Sequence, residues 1–293
     1  MKTKRMNLSK SREHTEIKRK KRGKAMKIAV ITGASSGMGR ETAMQLADRF
    51  GGKLDELWLI ARRKEKMEEL IGQVPVRLRI FPLDVTDRIQ LEKLKMALEE
   101  AKPRVVFLVN AAGFGKIGKV GDVPLADEMG MVQLNCQAVC GVTNLVLPYL
   151  HKGSRVIQYA SSSAFLPQAG FAIYAATKSF VLSYSQALNQ ELKAKGICVT
   201  AVCPGPVDTE FFSIAETTGE MPVYKQLVMA DPKKVVRQAI RDSMMGKSIS
   251  IYGLTMKLFY GICQTVPHSW LLAAWGGINR AAEHGRKAWK REE

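Results

Sequence analysis

Apolar residues along the chain alternate between short β-branched runs and longer stretches where they recur every three or four positions. Met26 opens a buried strand over Lys27–Thr32 (KIAVIT), followed by glycines and a helix over Met38–Phe50. The same rhythm predicts strands at Leu57–Ala61, Val76–Phe81, Val105–Val109, Val156–Tyr159, Ile197–Val202 and Ser248–Tyr252. Helices are predicted near Lys64–Ile71, over Arg88–Glu100, through most of Leu125–Leu150, over Ala172–Lys195 and over Pro232–Met245. Strands this apolar lack a polar face, so both faces are expected under helices in a parallel sheet. Strand–helix repetition of this kind builds a doubly wound α/β fold through right-handed crossovers.

No linker-like stretch interrupts the pattern, so 26–254 is expected to be one domain. Beyond it the rhythm changes. Leu258–Ile278 holds 21 residues without Asp, Glu, Lys or Arg, but Gln264, Pro267 and His268 interrupt it. A spanning helix fits poorly; a helical extension over 255–293, broken near Pro267, fits better. A lesser reading makes this extension an interfacial membrane contact, helped by Arg280, Arg286, Lys287 and Lys290.

Composition changes the picture at one end only. The formal net charge is +18, and residues 1–25 carry +9 of it through eleven Lys/Arg against Glu13 and Glu16. With few apolar residues, that tail is expected to be disordered. The other +9 spreads over 268 residues, an ordinary balance for an enzyme that binds phosphates, so no nucleic-acid partner is expected. A protein that binds nucleic acid or membrane surfaces through the basic tail is the alternative from another class. The five cysteines have no CxxC spacing and suit a reducing cytoplasm. The four histidines are scattered, so no metal site is expected.

Chemistry concentrates at strand ends. Thr32-Gly33-Ala34-Ser35-Ser36-Gly37-Met38-Gly39 lies between the first strand and the first helix. Such a turn lets backbone approach a pyrophosphate, which the helix N-terminus then attracts. An acidic residue after the second strand would hold the ribose of NAD; here stand Ala61-Arg62-Arg63, and Arg40 follows the glycines. Guanidinium groups suit a 2′-phosphate, which favours NADP(H) and leaves NAD(H) open. Asp84-Val85 is placed to reach the adenine, and Asn110-Ala111-Ala112-Gly113 to flank the cofactor.

Tyr174 and Lys178 stand four residues apart on one predicted helix face. An ammonium beside a phenol favours phenolate and makes proton exchange easier. Ser161, with Ser162 and Ser163 as rivals, could hold a carbonyl oxygen, and Asn135 could hold a water leading to Lys178.

This ordered set resembles the short-chain dehydrogenase/reductase family, in the branch with a TGxxxGxG loop and a Tyr-xxx-Lys centre. The likeness covers roughly Met26–Tyr252 through TGASSGMG, NAAG, Asn135, Ser161, YAATK and PGPVDT; NAAG is a mild variant of the usual NNAG or NAG. The resemblance implies one Rossmann-type domain with a seven-stranded parallel sheet, assembled as a homodimer or homotetramer. It implies Tyr174 as general acid/base, Ser161 orienting the carbonyl, Lys178 on the nicotinamide ribose and Asn135 supporting a relay water. Pro204, Gly205, Val207 and Thr209 would border the nicotinamide. The segment Val207–Val228, with Phe211, Phe212, Ile214, Met221, Val223 and Tyr224, and the neighbours Phe114, Phe165, Leu166 and Phe171 suggest a bulky hydrophobic ketone or alcohol, such as a hydroxysteroid. A long-chain 3-ketoacyl substrate is the alternative.

Overall fold

Seven strands carry the apolar runs, and their side chains divide between two covered faces. In β1 (Lys27–Thr32), Ile28 and Val30 join one core cluster while Ala29 and Ile31 join the other. A strand apolar on both faces needs helices on both sides. The computed structural model describes residues 25–218 and 229–274 and supplies both layers. The further strands are β2 (Glu56–Ala61), β3 (Arg77–Pro82), β4 (Arg104–Asn110), β5 (Leu150–Tyr159), β6 (Cys198–Val202) and β7 (Ile249–Ser250). All pair in parallel, in the order β3-β2-β1-β4-β5-β6-β7.

The helices are α1 (Gly37–Phe50), α2 (Lys64–Glu68), α3 (Arg88–Ala101), α4 (Leu125–Val132), α5 (Ala138–Val146), α6 (Ala172–Lys193), α7 (Phe211–Ala215), α8 (Pro232–Met244) and α9 (Leu254–Thr265). α3, α5 and α6 cover one face through Leu94, Val142 and Leu188. α1 and α8 cover the other through Leu46, Val236 and Ala239. Asp87 and Asp231 cap α3 and α8, each accepting from first-turn amides. The expected doubly wound sheet is therefore present. Its order reverses between β1 and β4, and that switch point opens a crevice at the carboxyl ends of the strands.

Three departures from the sequence reading have local causes. β5 begins at Leu150, six residues before the expected Val156. His151–Ser154 bulges out of the ladder, since Val105 pairs Leu150 while Phe107 pairs Arg155. Ser154 Oγ closes the bulge by donating to the Val105 carbonyl and accepting from the His151 amide. Secondly, the long helix after Leu125 is broken by a π-helical turn at Gln133–Gln137, which joins α4 to α5. Thirdly, α2 stops at Glu68, and Ile71 is exposed.

After α9 a second helical stretch starts at 268, directly behind Pro267, so the expected break is where the proline stands. Among the described residues no helix is long and apolar enough to cross a membrane. The basic stretch 1–24, residues 219–228 with Met221, Val223 and Tyr224, and residues 275–293 lie outside the described residues.

Candidate active site

The glycine turn is built by close backbone approach. Gly33 has φ +67°, and a Cβ there would lie 2.7 Å from the Ala112 amide nitrogen. A Cβ on Gly39 would overlap the Gly33 carbonyl. Thr32 Oγ1 accepts from the Ala111 and Ala112 amides at 3.2 and 3.3 Å, which ties the ends of β1 and β4 together. Ser36, at the N-cap of α1, makes no side-chain cap bond, so the first-turn amides have no intrahelical or capping acceptor.

These elements border a cavity of about 690 Å³. Gly33, Ser35, Ser36, Gly37, Met38 and Gly39 line it with Arg62, Asp84 and Val85. It continues past Ala111, Gly113, Pro204, Gly205, Val207 and Thr209 to Ser161, Tyr174 and Lys178. An open α1 N-terminus, a tight glycine turn and guanidinium groups beyond it fit a nicotinamide dinucleotide.

Several expected cofactor residues stand elsewhere. Arg40 Nη1 donates to the Lys66 carbonyl at 2.5 Å and pairs with Glu69 at 3.3 Å, so it is drawn away to α2 and is not on the cavity wall. Arg62 reaches the wall but is 77% exposed, with only a 4.0 Å approach to Asp84. Its neighbour Arg63 is the engaged guanidinium, donating to Ser36 Oγ at 2.7 Å and Ser35 Oγ at 3.3 Å. Asn110 is buried beneath the floor, where its Nδ2 donates to Thr143 Oγ1 at 3.0 Å. It braces β4 against α5 rather than facing the cavity.

Ser161, Tyr174 and Lys178 converge, although Ser161 follows β5 and the other two lie on α6. All three are buried. Lys178 Nζ donates to the Tyr159 carbonyl at 2.8 Å and stands 5.6 Å from the centre of the Tyr174 ring. Tyr174 stacks on Phe171, ring centres 4.3 Å apart, and meets Phe211 at 5.3 Å. Here the structure corrects the expected electrostatics. Burial pushes the Tyr174 phenol well above its ordinary value, and a hydrogen bond with Ser161 offsets only part of the shift. Burial also lowers the Lys178 ammonium to about 8, with the Cys136 and Cys203 thiols pulling the other way. In this state desolvation outweighs any help the ammonium gives the phenol.

Asn135 sits in the π-helical turn with both amide hydrogens used and one lone pair of Oδ1 still open. Its Oδ1 accepts from the Phe114 amide at 3.1 Å, and its Nδ2 donates to the Phe114 carbonyl at 2.9 Å and to Thr177 Oγ1 at 3.0 Å. The side chain therefore has no donor left for the expected water. It fastens the loop after β4 to α6.

Beyond Tyr174 the wall is formed by Phe114, Phe171, Phe211, Phe212 and Ile214. Phe165, expected on that wall, faces away: its ring packs on Tyr260 at 4.8 Å and Phe259 at 6.2 Å. α9 draws it, and Leu166, into a separate core. Three charged wall residues, Lys116, Asp127 and Glu210, escaped the sequence reading. Lys116 donates to Thr217 and lies 3.9 Å from Asp127, and Glu210 pairs with Arg63 at 2.9 Å. Isolated charges carry no motif, so only the fold brings them to the site.

Residues 27–218 match the short chain dehydrogenase family. The chain is a short-chain dehydrogenase/reductase. This dehydrogenase is similar to sulfoacetaldehyde reductase 2 of Chromohalobacter salexigens, 35% identical over 66% of this chain and 77% of that protein. It is also similar to the very-long-chain 3-oxoacyl-CoA reductase of Homo sapiens, 31% identical over 76% of this chain and 74% of that one. Among solved structures it resembles a Sphingobium yanoikuyae short-chain dehydrogenase in complex with NADPH. That likeness has a TM-score of 0.68 and 26% identity, covering 89% of this chain and 95% of the other.

Proposed function

We propose that this oxidoreductase uses NADP(H), and less readily NAD(H), to interconvert a bulky hydrophobic ketone and its secondary alcohol. The observation that carries the reading is the meeting of Ser161, Tyr174 and Lys178 with an aromatic wall at one end of a cavity whose other end is the glycine turn. A dinucleotide whose pyrophosphate lay at that turn would reach the Tyr174 end with its nicotinamide, where that ring would supply or accept the hydride. Gly33, Ser35, Gly37, Met38 and Gly39 bring backbone to its phosphates. Arg63, more than Arg62, meets a 2′-phosphate, and the similar Sphingobium dehydrogenase in complex with NADPH supports the choice of a phosphorylated cofactor.

Ser161 holds the carbonyl oxygen beside the Tyr174 hydroxyl. Burial keeps the Tyr174 hydroxyl protonated, so it can deliver a proton to a developing alkoxide in reduction and take one back in oxidation. Lys178, anchored on the Tyr159 carbonyl, keeps its ammonium near the phenol to receive returning negative charge. Asn135 acts by positioning: it holds Phe114 against α6 and so fixes the floor beside Lys178.

A hydroxysteroid-like ketone suits the flat rings of Phe114, Phe171, Phe211 and Phe212. A second reading, a 3-ketoacyl thioester, draws on the human relative and on Lys116, a cation placed to meet an anionic carrier. Five free cysteines suit a reducing compartment, and we place the enzyme in the cytoplasm. Exposed Phe180, stacked with Tyr184 on the outer side of α6, suits a homodimer or homotetramer. A panel of ketosteroids, 3-ketoacyl thioesters, sulfoacetaldehyde and small ketones, assayed with NADPH and NADH, tests substrate and cofactor together. Turnover of bulky ketones with NADPH preferred is expected. Turnover confined to small polar carbonyls refutes the substrate reading, and equal or faster rates with NADH refute the cofactor preference.

A further inference from the structure

One guanidinium nitrogen gathers three partners across the mouth of the cofactor groove. Arg63 Nη2 donates to Ser36 Oγ at 2.7 Å, to Glu210 Oε2 at 2.9 Å and to Ser35 Oγ at 3.3 Å. The serines belong to the glycine turn, Arg63 follows β2, and Glu210 follows Thr209 on the segment after β6. The ion pair thus joins two walls of the groove over the N-terminus of α1, where negative charge is favoured. The Glu210 carboxylate is the negative charge found there. Its hydrogen bond to Arg63 outweighs the opposing effect of burial and holds its pKa below the usual carboxylate range.

We propose that Glu210 is an anionic placeholder that the 2′-phosphate of the incoming dinucleotide displaces from Arg63, so that this residue limits NADPH affinity. The inference rests on the NADP(H) reading above. Nη2 spreads its two hydrogens over three partners, so a phosphate oxygen reaches that nitrogen only in competition with Glu210, while Nη1 and Nε stay available as donors. Two anions against one guanidinium also repel each other. Arg63 and Glu210 are each about half exposed, so their pair is weak, and a displaced carboxylate regains water readily. The pair therefore opposes cofactor binding only modestly. Release has a second effect, because the next residue, Phe211, rests on Tyr174. Freeing Glu210 frees the segment that forms the aromatic wall, and links cofactor entry to the substrate end.

The test is fluorescence titration of the full chain with NADPH and with NADH, comparing wild type, Glu210→Gln and Glu210→Ala. Thermal melts confirm that the variants fold. The NADPH Kd is expected to fall about two- to fivefold in both variants, the range set by an exposed ion pair, while NADH gains less. An unchanged or weaker NADPH Kd overturns the proposal: Glu210 would then stay in place or clasp the bound cofactor. An equal gain for NADH overturns it too, since the freed guanidinium serves a group that NADH lacks. Wild type that binds neither dinucleotide would instead refute the cofactor reading itself.

Discussion

Replacing Asn135 by alanine probes the link between the π-helical turn and the site. The side chain is 1% exposed and makes three hydrogen bonds, two of them to the backbone of Phe114. Thr177 keeps another partner, because its hydroxyl also donates to the Tyr174 carbonyl at 2.8 Å. Only the Phe114 amide and carbonyl are stranded. A buried polar group left unpaired costs about 1–3 kcal/mol, and Phe114 borders a cavity that water can enter. The two groups together should therefore cost about 2–4 kcal/mol, near the lower part of the summed range. At about 2–4 °C per kcal/mol for a domain of this size, Tm should fall by about 4–16 °C. Circular dichroism melts at fixed pH measure this, and urea titration supplies the free energy. Turnover should fall as well, since the loop beneath Lys178 loses its tether. A Tm within about 1 °C of wild type would refute the reasoning, for it would mean that the amide contributes no net stability.

Tyr174→Phe should abolish measurable turnover while cofactor binding, read by fluorescence, persists; substantial turnover would remove Tyr174 from the proposed chemistry. Arg63→Ala should weaken NADPH binding by about tenfold or more, and Arg62→Ala far less; the reverse order would restore Arg62 as the phosphate ligand. Phe165→Ala should destabilise the fold by about 3 kcal/mol yet leave KM for a bulky ketone nearly unchanged, because the ring packs on α9. A large KM effect in a still-folded variant would return Phe165 to the substrate wall. Lys178 in the folded protein releases its proton at about 8, below its unfolded value, so between those two pH values the folded state binds fewer protons. Its stability therefore rises with pH across that window. Lys178→Met should be inactive and more stable than wild type at pH 7, with the difference shrinking towards pH 10 in denaturant titrations; a constant difference would contradict the burial effect.

The sheet was legible because its strands are apolar on both faces, a pattern with few other meanings. Ser161, Tyr174 and Lys178 were legible through order and spacing, although only folding shows Ser161 brought up to α6 from β5. The second-strand arginines show where that method stops. Adjacent residues point apart, so Arg62-Arg63 contained the right chemistry without saying which guanidinium turns inward. Phe165 failed differently: proximity in sequence to Ser161 suggested a wall, but α9, almost a hundred residues later, offers its ring a dry partner. Lys116 and Glu210 became site residues only through loops whose paths no local pattern encodes. The β5 bulge was hidden for the same reason, since exposed polar residues before Val156 read as a connection.

α9 has two unlike sides. Met256, Phe259, Tyr260 and Cys263 lean on the strand ends that carry Ser161, and Met256 sits so close to Gly205 that a Cβ there would lie 2.8 Å from its sulfur. Leu254, Leu258 and Ile262 face outward, exposed, at successive turns of the same helix. The helix therefore acts as a wedge between the surface and the site: its inner row fills the space under Gly205 and the strand end before Ser161, while its outer row stays open to whatever packs there.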